Sequence, residues 1–383
     1  MPQCSQKPES AKGGEPEVRL VIQPEEGIKP LLKAIALAKS QIDVMIFRFD
    51  QREVERALEN AVGRGVAVHA LIASKNRAGE ENLRELEMRL LGAGVTVART
   101  GEDLVRYHSK YMVVDRKELH LMAFNLTHVD IERSRSFGII SRNPDHVKEA
   151  LKLFECDSKR VAYEAGLPGF IVSPVNARKE LADFIQGAKK SLAIYDPQVS
   201  DRQMIKLLAD RAKAGVDVRI LGRLIGRAAG VKAHKLANMR LHTRTIVRDG
   251  RMAFVGSQSL REMELDSRRE LGLIFKDPKI LSGLTRTFES DWALAEQADK
   301  ESDEVVDPGL RIAKKVAKAV AREMPDVGAI VDGAVREVVG EIAEVELIPE
   351  EVEEMVKGAV KEAVRDVVKT AVEEAVEKGA GGQ

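Results

Sequence analysis

The feature that most constrains this chain is an internal repeat. A shift of 134 residues superimposes three chemically matched pairs, His108 on His242, Lys110 on Arg244 and Asp115 on Asp249. The same shift, without a gap, aligns the pattern Phe-Glu-x-Asp at 154–157 with the one at 288–291. A His-x-basic-x-x-x-x-Asp pattern that occurs twice in one chain predicts two similarly folded halves, each of which supplies one histidine.

The first copy of the pattern lies in residues 106–115, which read as a single β-strand because they are rich in β-branched and aromatic residues and lack Gly and Pro. Strand side chains alternate between faces, so His108 and Lys110 are predicted to share a face that Asp115 does not. Taken alone, a His-x-Lys pattern is typical of a solvated strand. Its repetition favours an anion site.

The segments before the histidines repeat as well, at a shift of 150 residues that aligns Gly65 and Val66 with Gly215 and Val216. Strand, helix and strand with short glycine turns predict an α/β fold with a largely parallel sheet. Because the shift falls to 134 before His108, the first repeat is longer by 16 residues within 73–107. We expect that insertion to be a charged helix from Glu80 to Leu91.

These alignments predict four segments. Residues 1–17 form a polar lead-in that we expect to be disordered, 18–160 form repeat 1, and 168–298 form repeat 2. Residues 303–383 form an all-α tail, because Val and Ala recur at helical spacing there. We expect the two repeats to pack as a pseudo-twofold sandwich with one site at their seam, since clefts between domains commonly hold ligands.

The charge of the tail differs from that of the rest of the chain, and the cysteine and apolar content indicate where the protein is located. Residues 301–383 carry 11 basic and 20 acidic residues and no aromatic residue, although the whole chain has zero net charge. It lacks the basic and bulky residues of a membrane-surface helix, so we expect it to self-associate or pack on the core. The two cysteines, Cys4 and Cys156, form no disulfide or metal pattern, and no apolar stretch is long enough to span a bilayer. We therefore expect a cytoplasmic protein.

The paired motifs resemble those of the phospholipase D superfamily, whose members carry two His-x-Lys-x-x-x-x-Asp motifs, each followed by Gly-Ser-x-Asn. The resemblance covers residues 18–298. It implies a phosphodiesterase in which one histidine attacks phosphorus and the other protonates the leaving oxygen, so that a phosphohistidine forms and is then released to water or an alcohol. This chemistry requires no cofactor and no metal, and the sequence shows no metal-ligand cluster.

The resemblance also assigns roles to residues. His108 is expected to be the nucleophile because Lys110 lies on its own strand, and His242 to be the acid and then the base, although the two could be exchanged. The expected contacts to phosphate oxygens come from Lys110, Arg244, Asn125 and Ser259. Ser257 and Glu270 are expected to support the site, with Glu270 orienting a histidine ring. Asp115 and Asp249 are expected to be structural.

Each repeat departs from the family pattern, and the departures are complementary. Repeat 1 has Met122 and Ala123 in place of Gly-Ser. Repeat 2 keeps Gly-Ser but has Arg244 for Lys and Ser259 for Asn, and a guanidinium is not sterically equivalent to an ammonium. A working enzyme is favoured because both histidines remain. A catalytically impaired phosphate-binding or scaffold protein is the alternative.

A basic stretch leads into the second motif. Between Gly222 and Arg251 there are eight Lys and Arg residues against the single acid Asp249, which would attract anionic lipid headgroups or a nucleic-acid backbone. No aromatic side chains are interleaved for base stacking. We therefore expect a phospholipid substrate and peripheral contact with an anionic membrane, with a nuclease of the same superfamily as the alternative.

Overall fold

The computed structural model describes residues 18–74 and 80–304. The lead-in at 1–17 and the tail beyond 304 lie outside the described residues, so the predictions made for them stay predictions. The α/β class and the two repeats are confirmed, and both repeats belong to one unit that runs to Gln297.

Repeat 1 alternates strands with helices. Its strands are β1 (Val18–Gln23), β2 (Gln41–Ile46), β3 (Ala67–Ile72), β4 (Thr96–Arg99), β5 (Arg106–Tyr107), β6 (Tyr111–Val114), β7 (Glu118–Met122) and β8 (Ser134–Ser141). Its helices are α1 (Lys29–Leu37), α2 (Arg52–Gly63), α3 (Glu80–Gly92), α4 (His128–Glu132) and α5 (Pro144–Lys159). Helix α3 is the insertion expected from the change of shift.

Repeat 2 follows the same course, but the described residues hold no counterpart of α3. Its strands are β9 (Phe170–Val172), β10 (Ser191–Val199), β11 (Asp217–Leu224), β12 (Val231–His234), β13 (Arg240–Leu241), β14 (Arg244–Arg248), β15 (Met252–Gly256), β16 (Arg268–Arg269) and β17 (Leu271–Phe275). Its helices are α6 (Ala177–Gln186), α7 (Arg202–Lys213), α8 (Glu262–Asp266) and α9 (Pro278–Glu304).

The two main sheets have matching strand orders. Sheet 1 runs β1-β8-β7-β6-β2-β3-β4, and sheet 2, read from its corresponding edge, runs β9-β17-β15-β14-β10-β11-β12. Along this order of sheet 1, β2, β3 and β4 are parallel and the other neighbours are antiparallel, while β13 of repeat 2 joins β8 in parallel off this order. The prediction of a largely parallel sheet is therefore wrong, because a hairpin joins β6 to β7, and β8 returns antiparallel to β7 after the short helix α4.

The core is layered. Helices α1 and α2 cover the outer face of sheet 1, and α6 and α7 cover that of sheet 2. The inner faces share one core with α5 and α9, in which Phe137 of repeat 1 lies 5.4 Å from Tyr195 of repeat 2 between ring centroids. This shared core fixes the two repeats against each other, so side chains at their seam are held in register.

Exchanged strands and ion pairs also join the repeats. β5 pairs with β16, and β13 pairs with β8, so that each repeat adds a short strand to the other. Two equivalent ion pairs cross the seam between buried side chains, Arg135 Nε to Asp291 Oδ2 at 2.8 Å and Arg269 Nε to Asp157 Oδ1 at 3.1 Å. Both histidine motifs begin beside these exchanged strands.

Candidate active site at the seam

The segment predicted as one strand over 106–115 is broken. β5 ends at Tyr107 and β6 begins at Tyr111, so His108 and Lys110 lie in the interval between them. The expectation that they share the face of one strand is wrong. The reason is non-local: β5 pairs with a strand of the other repeat, and the His108 amide donates to the Arg269 carbonyl at 2.7 Å.

His108 is oriented by a carboxylate of the other repeat. Its Nδ1 lies 2.8 Å and 2.9 Å from the two oxygens of Glu270, a fully buried residue. The edge-to-face ring of Phe47 packs against the imidazole, with centroids 4.4 Å apart. An ionised carboxylate accepts hydrogen bonds and donates none, so Nδ1 carries the proton of the His108 ring and Nε2 keeps a lone pair. The structure thus joins Glu270 to His108.

His242 occupies the equivalent position with a different partner. Its amide lies 3.1 Å from the Arg135 carbonyl, as the symmetry requires, but its Nδ1 donates to the Ala123 carbonyl at 3.0 Å. Ser136, the counterpart of Glu270, donates its hydroxyl to the same carbonyl at 3.1 Å. A backbone carbonyl therefore stands behind His242 where a carboxylate stands behind His108.

The two cations are held in matching ways. The Lys110 ammonium donates to the His108 carbonyl, and Arg244 Nη1 donates to the His242 carbonyl at 2.7 Å. Arg244 Nε also donates to the Ser259 hydroxyl at 3.1 Å. These contacts bring each basic group back beside the histidine of its own motif.

Two acids that sequence reasoning missed lie in the same site. Asp130 accepts hydrogen bonds from the Asn125 amide and from its side-chain Nδ2, at 2.9 Å and 2.7 Å. In repeat 2, Glu264 accepts from the Ser259 amide at 2.8 Å. The signal that could have found them is the repeat itself, since the shift of 134 residues places Asp130 on Glu264.

Asp130 also faces the second histidine. Its Oδ2 lies 3.4 Å from Nε2 of His242, and its Oδ1 accepts from Arg240 Nη1 at 2.5 Å. Glu264 instead faces two arginines. Its Oε2 lies 3.6 Å from Nη2 of Arg244, and its Oε1 lies 3.5 Å from Nη1 of Arg268. An acid is therefore close to the outward ring nitrogen of His242.

Ser257 lies beside Glu270, because its hydroxyl receives the Leu271 amide at 3.1 Å and lowers the pKa of the Glu270 carboxyl against the rise that burial causes. Asp115 and Asp249 lie away from the site, at the hairpin turns that follow β6 and β14. Each accepts from three successive backbone amides, Asp115 from residues 39–41 and Asp249 from residues 189–191. The aspartates of both motifs thus anchor the start of β2 and β10.

Burial governs the titration of the histidines. It lowers the pKa of His108 well below its usual value, and the nearby charges of Lys110 and Arg244 lower it further. Burial also lowers the pKa of His242, where the Asp130 carboxylate opposes the shift and Arg244 adds to it. Because Arg244 acts on His108 and Lys110 acts on His242, groups of both repeats share one electrostatic environment.

The other ionisable groups are perturbed as well. Burial brings the pKa of Lys110 down to about 7, although the Glu270 carboxylate opposes the change. Burial would raise the pKa of Asp130, but His242, the Asn125 amide and Arg240 together hold it at about 2. Clusters of shifted groups in one place are a mark of functional sites.

Within the described parts of the chain, no three His, Cys, Asp or Glu side chains converge as metal ligands. None of the helices in those parts is long and apolar enough to cross a membrane.

Comparisons with known proteins agree on a family. A family model described as cardiolipin synthase, phospholipase D-like domain matches residues 31–158 and again 181–292. Among curated proteins, the mitochondrial cardiolipin hydrolase of Mus musculus is 28% identical over 131 residues, which is 34% of this chain and 58% of that protein. The chain thus spans about half the length of the curated relatives that it matches.

Solved structures are similar in fold. A phosphatidylserine synthase of Haemophilus influenzae has a TM-score of 0.54 at 14% identity, over 80% of this chain and 93% of that one. A polyphosphate kinase of Porphyromonas gingivalis has a TM-score of 0.60 at 19% identity, over 71% of this chain and 50% of that one. The two matches of the family model coincide with the two repeats that share the histidine site.

Proposed function

The chain belongs to the phospholipase D superfamily, and from this premise we propose that it is a phosphodiesterase that forms a phosphohistidine on His108 and acts on phospholipid. The observation that carries the proposal is the bond between Nδ1 of His108 and Glu270 at 2.8 Å. It leaves Nε2 with a lone pair and supplies a negative charge behind the ring.

In the first step, Nε2 of His108 attacks phosphorus and the bond from phosphorus to the leaving oxygen breaks. The imidazole gains positive charge as the new bond forms, and the Glu270 carboxylate stabilises that charge. His242 enters this step protonated on both ring nitrogens and gives the proton on its Nε2 to the leaving oxygen, so an alcohol departs while Nδ1 keeps its bond to the Ala123 carbonyl. Asp130, 3.4 Å from that nitrogen, favours the protonated ring before transfer.

In the second step, neutral His242 removes a proton from water, and the water oxygen attacks phosphorus. The bond from phosphorus to His108 breaks, and the phosphate product leaves with His108 neutral again. An alcohol in place of water completes a transfer reaction by the same steps.

Lys110 and Arg244 balance the negative equatorial oxygens during both steps. Asn125 and Ser259 keep the role predicted for them, because each retains a hydrogen that its protein contact does not use. Nδ2 of Asn125 gives one of its two hydrogens to Asp130, and the Ser259 hydroxyl only accepts from Arg244. Both can therefore donate to a phosphate oxygen.

The preference for phospholipid is supported by the relatives, whose names include cardiolipin hydrolases and a phosphatidylserine synthase. A nuclease of the same superfamily is the second candidate. It is favoured by a row of exposed cations that runs from the end of β11 to just before β13, Arg223, Arg227, Lys232 and Lys235. Such a row suits an extended polyanion.

One assay separates the candidates. Purified protein is incubated in EDTA with mixed phospholipid vesicles and, separately, with DNA and RNA. We expect release of headgroup by the wild type and none by His108→Ala, while His146→Ala, a histidine on α5 bonded to Ser141, retains activity. Cleavage of nucleic acid alone would favour the nuclease. The absence of turnover with every phosphodiester would contradict both enzymatic proposals and favour the non-catalytic phosphate-binding or scaffold protein.

A further inference from the structure

A cavity on the outside of repeat 1 has no part in the reaction described above. It holds about 650 Å³ between α5, the turn from β6 to β7, and the first residues of β2 and β3. The side chains around it that matter here are Asp43, His69, Arg116, Lys148, Ser158 and Lys159.

The pseudo-twofold symmetry shows that the fold does not require this cavity. Ser158 aligns with Trp292, which is 5% exposed and stacks on Phe288 with centroids 5.7 Å apart. The guanidinium of Arg219, the counterpart of His69, lies 5.3 Å from the Trp292 ring. The equivalent place in repeat 2 is therefore filled, and in repeat 1 a small side chain leaves it open.

Charge distinguishes the two places in the same way. Three cations around the cavity align with uncharged residues of repeat 2, Arg116 with Gly250, Lys148 with Ser282 and Lys159 with Ala293. Glu155 of α5 also lines the cavity, where Lys159 pairs with it and the Arg116 charge acts on it, whereas Lys148 forms no ion pair within the described residues. Repeat 1 thus combines an open volume with added positive charge, as a site for an anion requires.

His69 is oriented toward a ligand role. Its Nδ1 lies 2.8 Å from Oδ1 of Asp43, a carboxylate that is 2% exposed and also receives Gln41 Nε2. With Nδ1 engaged by Asp43, Nε2 is the ring nitrogen left for a ligand, and it accepts from a protonated phosphate oxygen or donates to phosphate when the ring is doubly protonated. Repeat 2 has Ala193 in place of Asp43, so it lacks this pair.

Arg116 adopts a backbone conformation that suits glycine. Its φ is +55°, and Gly250 at the equivalent turn has a φ of +63°. A left-handed non-glycine residue is strained, and such strain persists where the side chain has a use. In repeat 1 this turn carries a cation, Arg116, beside the cavity, whereas in repeat 2 it carries Gly250 and the equivalent place is filled.

We propose that this cavity binds the phosphate group of an anionic ligand, through His69, Arg116 and Lys148. It is distinct from the catalytic site, because Asp43 lies near the start of β2, whereas Phe47, which contacts His108, follows the end of β2, four residue steps or about 13 Å further along the chain. The proposal does not depend on the proposed enzymatic function.

The test follows the ring signal of His69 in NMR spectra of the full chain, assigned by its loss in His69→Gln. Inorganic phosphate is titrated into the wild type and into variants that copy repeat 2, Arg116→Gly with Lys148→Ser, and Ser158→Trp. Lys206→Ser, an exposed cation on α7, is the matched control. A second arm adds vesicles of phosphatidylcholine with or without phosphatidic acid, which separates a lipid phosphate from a free one.

We expect saturable shifts of the His69 signal with free phosphate or with phosphatidic acid vesicles. The double variant should weaken binding by at least about tenfold, Ser158→Trp should abolish it, and Lys206→Ser should leave it unchanged. Arg116→Gly alone should not lower the melting temperature, since glycine relieves the strained turn. A His69 signal that responds to neither source, or equal losses in Lys206→Ser and the double variant, would overturn the proposal.

Discussion

The two halves of the seam site share a backbone frame and differ in what stands behind each imidazole. In both halves the histidine amide lies beside an arginine carbonyl of the other repeat, and a cation bonds to the histidine carbonyl. Behind His108 there is the carboxylate of Glu270, and behind His242 there is the carbonyl of Ala123. The backbone contacts of the two histidines are therefore equivalent, but the hydrogen-bond acceptors of their rings are not.

The difference suggests a division of labour. A carboxylate fixes the ring tautomer and also stabilises the positive charge that a nucleophilic imidazole acquires. A neutral carbonyl fixes the tautomer with less stabilisation of charge. His242 has its acid, Asp130, on the side of Nε2, where a proton must be held for transfer. The inequality therefore favours His108 as nucleophile and His242 as acid.

The largest expected effect separates the two histidines by leaving group. His108→Ala should lose at least about 10⁴-fold in rate with every ester, because no nucleophile remains. His242→Ala should lose about 10²–10⁴-fold with an alkyl ester, which needs a proton on its leaving oxygen. With a p-nitrophenyl ester, His242→Ala should still release a first turnover of p-nitrophenol, measured as a burst. A burst in His108→Ala instead would reverse the roles.

The next effect compares the groups behind the rings. Glu270→Gln should lower kcat by about 10²–10⁴-fold, because a glutamine amide can place the proton of His108 on Nε2. Ser136→Ala removes one neutral hydrogen bond to the Ala123 carbonyl and should cost only about 2- to 10-fold. Both are measured as kcat with melting temperature as the control for folding. Equal losses in folded variants would contradict the inequality of the halves.

A smaller effect compares Lys110 with its counterpart Arg244. The pKa of Lys110 is lowered to about 7, so its positive charge is lost as pH rises through that value, and kcat/KM should fall above it. Lys110→Arg keeps the charge and should remove this alkaline decline, with a several-fold lower maximum because a guanidinium fits differently. The measurement is kcat/KM from pH 5 to 9. An unchanged decline in Lys110→Arg would assign it to another group.

Much of this fold follows from local patterns. The inserted helix α3 begins at its predicted residue and ends one residue beyond its predicted end, and the order of strand, helix and strand before it was predicted because apolar periodicity and glycine turns are local signals. The repeat also identified both histidines, and the pairing of a histidine with Glu270 was expected from its position after the motif. These site residues could be predicted from one sequence because the internal repeat aligns them.

Other parts of the site depend on contacts between distant residues. The break between β5 and β6 arises from pairing with β16, which no local pattern records. The Ala123 carbonyl that orients His242 has no sequence signature, since any residue supplies one. The antiparallel pairs of sheet 1 could not be predicted for the same reason, because β1 pairs with β8 and β2 with β6 across long stretches of the chain.

The central claim is that the two halves are unequal and that His108 carries the covalent intermediate. The direct measurement is an alkaline quench of the reaction with a p-nitrophenyl phosphodiester, followed by mass spectrometry of the histidine peptides. We expect the phosphoryl adduct on the peptide with His108, and more of it in His242→Ala, where no base activates water. An adduct on His242 in the wild-type protein would contradict the claim.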